Sequence, residues 1–189
     1  MKFNDHSNLK GAHAFLSPSS YHWINYSEDK LALRYKNQQA IAIGTKQHEF
    51  ARQAIELGVK IRGNTQTLAQ YVNDAIGYRM IPEQVLFYSF NCFGTADTIL
   101  FRNNLLRIHD LKTGETPVSM NQLKVYAALF CLEYSVKPGA IDIELRIYKD
   151  DDKVIERPEV DEIAHVMDRI VTFDKIIESL KTEEQVCLS

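Results

Sequence analysis

Residues 94–114 read GTADTILFRNNLLRIHDLKTG, and their reading decides the fold. Asn103 and Asn104 stand at the centre, between two apolar runs. Paired asparagines tolerate positive φ and suit a two-residue hairpin turn. A turn there makes 97–101 and 105–112 adjacent antiparallel strands, with residue 97 opposite residue 110. Side chains on a strand alternate between faces. Asp110 and Lys112 therefore share a face, about 7 Å apart along the strand, and His109 takes the other. The register brings together two carboxylates and an ammonium: Asp97, Asp110 and Lys112.

Upstream, the run from Val85 to Cys92 is aromatic and β-branched and predicts a first strand, with Pro82 as a break before it. A helix is expected from about Thr65 to Tyr78. Another is expected over Ile43 to Leu57, where Phe50, Ala51, Ala54 and Ile55 recur at helical spacing and Gly58 stops the run. Residues 27–40 suit a helix or a loop. Ser17-Pro18 reads as a helix start, leading a short helix to about Tyr26 with Trp23 as anchor. Downstream, Ser119-x-x-Gln122 reads as a capping box opening a helix to about Tyr134. Ile141 to Tyr148 alternates as a strand. Asp150-Asp151-Asp152 is a turn, Lys153 to Glu156 pairs back, and an amphipathic helix follows from about Glu159 to Leu180. The expectation is one mixed α/β domain over 1–189, a short mixed sheet flanked by helices. Its core spans about 16–150, with a C-terminal hairpin and an acidic amphipathic helix over about 151–182.

With 45% hydrophobic and 25% charged residues, the 189-residue chain reads as globular rather than disordered. It shows no signal-peptide pattern and no apolar run of membrane-spanning length, so an intracellular, cytoplasmic protein away from membranes is expected. Cys92, Cys131 and Cys187 are too few and too scattered for a zinc site or a disulfide framework. Residues 149–189 carry a net charge of −6 and residues 1–148 a net of +3. A basic face turned away from an acidic tail would account for that asymmetry, and so would a solvated helix face.

The hairpin set suits phosphodiester hydrolysis. Paired carboxylates can hold Mg²⁺ together with phosphate oxygens, and a neighbouring lysine can position water and offset developing charge. Each residue alone has a plainer reading. Asp-x-Lys is common on solvated strands, and His48 suits a packed core histidine. Gln122 suits the capping partner of Ser119, Tyr126 suits the core, and Gly94 suits a turn.

Four motifs in order resemble the PD-(D/E)xK nuclease superfamily, more closely its RecB-like branch: Gly44-x-x-x-His48, Gly94-x-x-Asp97, Asp110-x-Lys112 and Gln122-x-x-x-Tyr126. Leu16-Ser17-Pro18-Ser19 with Trp23 is similar to the start of phage-type relatives. The resemblance covers about residues 16–150. It implies a restriction-endonuclease-like core and a Mg²⁺- or Mn²⁺-dependent deoxyribonuclease. The metal ligands would be His48, Asp97, Asp110 and the backbone carbonyl of Leu111. Lys112 would be catalytic, with Gln122 and Tyr126 supporting the site or touching substrate. Glu83 and Glu49 are weaker candidates for a further carboxylate. Lys46, Arg52, Arg102 and Lys124 are candidates to track the DNA backbone. Some relatives hold an iron–sulfur cluster through four cysteines; three wrongly spaced ones predict none here. DNA is the expected partner, with a homo-oligomer or a recombination protein as further ones, in phage or mobile-element DNA processing. The rivals are a catalytically silent DNA- or protein-binding module of the same fold, an RNA nuclease, and an α/β interaction domain whose hairpin only looks like a site.

Overall fold

The computed structural model describes residues 5, 11–63, 65–114 and 117–187. The chain divides into two compact units, Met1–Gly44 and Thr45–Ser189.

In the first unit, Pro18–Asn25 forms a 3-10 helix rather than an α-helix, entered through Ser17 with Pro18 at its start. Trp23 anchors it: the indole N–H donates to the Ser17 carbonyl at 3.0 Å. Helix α1 (Glu28–Glu56) then begins well before Ile43, so of the segment 27–40, which suited either state, all but Ser27 is helical. Ser27 Oγ accepts the Lys30 N–H at 3.3 Å, and Glu28 and Asp29 complement the positive end of the helix dipole.

The second unit is a five-stranded mixed sheet in the order β1-β2-β3-β4-β5. The strands are β1 (Ile81–Ser89), β2 (Cys92–Arg102), β3 (Leu105–Leu111), β4 (Asp142–Lys149) and β5 (Asp152–Glu156). Only β3 and β4 run parallel, and the crossover that a parallel pair requires carries α3 (Asn121–Glu133). Pro82 does not break the chain; it lies inside β1, an edge strand that tolerates a missing N–H. The first hairpin turns at Phe90-Asn91, so Cys92 opens β2 instead of closing β1.

The two sheet faces bury different clusters. Leu106, Ile108, Leu123, Ala127, Leu145, Ile147 and Ile163 form one cluster, which α3 and α4 (Val160–Cys187) share. Ala51, Ala54 and Ile55 at the end of α1 join Tyr71, Val72 and Ala75 of α2 (Thr67–Tyr78), with Leu111 and Tyr148, in the other. Because β4 is covered on both sides, its burial is continuous rather than alternating. Its second face is polar: Glu144 Oε1 accepts Arg107 Nε and Arg146 Nε, each at 3.0 Å, and Tyr148 OH donates to Asp74 Oδ2 at 2.7 Å. Among the described residues no helix is long and apolar enough to cross a membrane.

Candidate functional site

The β2–β3 hairpin positions the site. Asn103 and Asn104 both have positive φ, 51° and 60°, the requirement of the tight turn that matches strand twist. The ladder runs from Arg102↔Leu105 to Thr98↔His109. The ladder ends there, and Asp97 lies just beyond it, near enough to Asp110 for the two charges to oppose each other.

Two hydrogen-bonded chains converge there. Asp97 Oδ2 accepts the Leu111 N–H at 3.0 Å and lies 3.3 Å from His48 Nδ1 on α1. Asp110 Oδ1 and Oδ2 lie 3.1 and 3.0 Å from Lys112 Nζ. Lys112 also donates to Gln122 Oε1 at 2.7 Å, and Gln122 Nε2 donates to Tyr126 OH at 3.2 Å. Gln122 and Tyr126 are one turn apart on α3, so a single helix face orients the lysine. The sequence's capping box does not form. The N-cap residue is Met120, with no side-chain cap, because the Gln122 amide is committed to Lys112 and Tyr126.

Burial dominates the electrostatics. Asp110 is 3% exposed, and its Oδ2 accepts no well-directed hydrogen bond despite the nearby ammonium. Burial, then the charge of Asp110, raises the Asp97 carboxyl to about 6, against the pull of the Leu111 N–H and His48. Glu83 also raises it; this residue sits at φ 51°, where the β1–β2 ladder passes from Pro82↔Thr98 to Gln84↔Ala96. Sequence ranked Glu83 low because nothing in it announces positive φ at a strand glutamate. Glu49 is engaged by Arg52 and Gln53, which hold its carboxyl down at about 2.

Gly94 is not a plain turn glycine. A Cβ there would meet Tyr126 Cε1 at 3.0 Å, so the first residue of Gly-x-x-Asp makes room for the last residue of Gln-x-x-x-Tyr. Leu111 reaches Asp97 through its N–H. The four candidate DNA-tracking bases are dispersed. Arg52 pairs with Glu49 and Glu56, and Lys124 pairs with Glu156 and Glu162. Arg102 lies five residues along β2 from Asp97, about 17 Å at strand rise, and Lys46 is exposed on α1. Sequence missed a cavity of about 500 Å³ beside Lys112, walled by Gln47, Gln66, Thr67 and Thr113. Its walls come from α1, the start of α2, the end of β3 and the β4–β5 turn, where Asp150 and Asp151 line it, and no single segment announces it.

With the side chains as placed, no three His, Cys, Asp or Glu groups among the described residues are gathered as a metal site. The donor chemistry still fits a hard divalent cation: two carboxylates whose charges oppose each other, one of them with an unsatisfied buried oxygen. Comparison with family models, curated proteins and solved structures found no match.

Proposed function

We propose that this chain is a metal-dependent DNA nuclease of the PD-(D/E)xK type, RecB-like branch. The observation that carries the proposal is the cluster at the end of the β2–β3 hairpin: Asp97 Oδ2 on the Leu111 N–H at 3.0 Å, beside Asp110, whose Oδ2 lies 3.0 Å from Lys112 Nζ. Asp97 and Asp110 would hold Mg²⁺ or Mn²⁺, with His48 and the Leu111 carbonyl as further ligands and no iron–sulfur cluster. Such a cation supplies Lewis-acid polarisation of a phosphate oxygen. Lys112, held between Asp110 and the Gln122 amide, orients the attacking water and offsets charge growing on the phosphate. Tyr126 fixes Gln122, and through it the lysine. DNA processing by a phage or mobile element is the setting this chemistry suits, with a homo-oligomer or a recombination protein holding the substrate in place.

One observation favours a second reading, a catalytically silent binding module. His48 and Lys112 already engage the carboxylates, the Leu111 N–H is on Asp97, and among the described residues no three His, Cys, Asp or Glu side chains are gathered to hold a metal. Titration of the folded chain with Mn²⁺, followed by incubation with matched DNA and RNA, separates the readings. Stoichiometric Mn²⁺ binding with cutting of DNA supports the nuclease. Neither binding nor cutting supports the silent module.

A further inference from the structure

The first unit holds chemistry that cleavage leaves unused. An open cavity of about 420 Å³ lies between Pro18–Asn25, the segment before it and the first turns of α1. Its walls combine Phe15, Trp23 and Tyr26 with Arg34, Asn37 and Gln38, and no lining residue is acidic. That volume is within the range of small-ligand pockets. The aromatic wall is held in place: the Trp23 indole is tied to the Ser17 carbonyl at 3.0 Å. Arg34 lies over the Tyr26 ring, 5.3 Å from its centroid, and donates to its hydroxyl. The contacts of Arg34 are with Tyr26.

We propose that this cavity binds one nucleotide of a single-stranded nucleic acid. Aromatic side chains stack bases of any sequence. The Asn37 and Gln38 amides both donate and accept, as base edges require. The Arg34 guanidinium offers a planar fork of donors to a phosphate. An apolar peptide would leave the guanidinium and both amides without partners, and a basic peptide would meet no acid. A paired base hides its faces in the stack, so the occupant is an unpaired one. Preference for a strand over a free nucleotide rests on the nuclease reading; the recognition chemistry does not.

Trp23 is the only tryptophan, so the full chain carries its own reporter. The experiment titrates it in EDTA with an oligothymidylate, a matched abasic oligonucleotide and thymidine monophosphate, following tryptophan emission. Saturable quenching by the oligothymidylate is expected, with the abasic strand about ten-fold weaker for want of a stacking base. Arg34→Gln should weaken the oligothymidylate about five-fold or more and lessen its salt dependence. Asn37→Ala, on the exposed helix surface, gives a second variant should Arg34→Gln lose its fold. Unchanged emission with a strand that binds by anisotropy overturns the proposal, as does equal binding of the abasic strand. Thymidine monophosphate binding as tightly as the strand overturns the choice of a strand. Because no metal is present, the outcome is independent of cutting: cleavage without quenching removes this site alone, and quenching without cleavage removes the nuclease alone.

Discussion

Asp97→Asn should make the metal-free protein more stable at pH 8, although it removes a hydrogen-bonded side chain. The folded chain raises this carboxyl from 3.8 to about 6 through burial and the charge of Asp110. Between those values the folded chain keeps a proton that the unfolded chain has released. Stability is therefore fully present below about pH 4, falls as pH rises through about 6, and stays reduced above it. Two pH units correspond to roughly 3 kcal/mol as an upper limit. The asparagine keeps an oxygen for the Leu111 N–H, and the charge on that bond and the attraction of His48 are already counted in the value of about 6. A gain of up to roughly 3 kcal/mol is expected at pH 8, shrinking to about 1 kcal/mol at pH 4.5. Urea denaturation of both proteins in EDTA at the two pH values measures it. Added Mn²⁺ at pH 8 should stabilise the wild type and not the variant. A variant less stable than wild type at pH 8, or an equal difference at both pH values, would refute the electrostatic account of the site.

Lys112→Met leaves the 3%-exposed Asp110 without its cation. Because the lysine is one-third exposed, the expected loss is modest, about 1–2 kcal/mol by denaturation, and Mn²⁺ should reverse it. Gly94→Ala places a methyl against Tyr126; a drop in cleavage rate with a stability loss of only about 1 kcal/mol would show that it works through the Gln122–Lys112 chain. Asn103→Val puts a β-branched residue at φ 51° and should cost about 1–2 kcal/mol in thermal denaturation. Burial depresses the His109 imidazole from 6.5 to about 3, so its contribution is present above about pH 6.5 and lost as pH falls toward 3. His109→Gln, compared with wild type over that interval, should lose stability less steeply with acid.

The hairpin was legible because it is local: two asparagines set the turn, and period-two alternation then fixes the partners from Arg102↔Leu105 to Thr98↔His109, whereas Asp97 lies beyond that ladder and meets β3 through its side chain, on the Leu111 N–H. The same alternation placed His109 on the face opposite Asp110, where it stacks among Tyr78 and Tyr148. Legibility ended where partners come from distant segments. Gln122 has the sequence of a cap and the position of a lysine's partner, a choice made by the approach of α3 to β3. Gly94 has the sequence of a turn and the role of a gap for Tyr126. The start of α1 was ambiguous because its polar first half buries little, and helical preference alone decides weakly. Glu144 and Arg146 alternate with the apolar residues of β4, yet both are buried. They are buried because α2 packs over that face of β4 while α3 covers the other, and Arg146 donates to Tyr78 at the end of α2. Arg52 and Lys124 were attractive as free bases until their helix and hairpin neighbours supplied carboxylates.

The most direct test is a cleavage assay on linear and circular DNA, single- and double-stranded, in Mg²⁺, Mn²⁺ or EDTA, with Asp110→Asn and Lys112→Ala run beside the wild type after each is shown to be folded. The account predicts metal-dependent cutting by the wild type and a loss of at least about 100-fold in each variant. No cutting by the folded wild type under any of these conditions, or cutting that survives both substitutions, would contradict it.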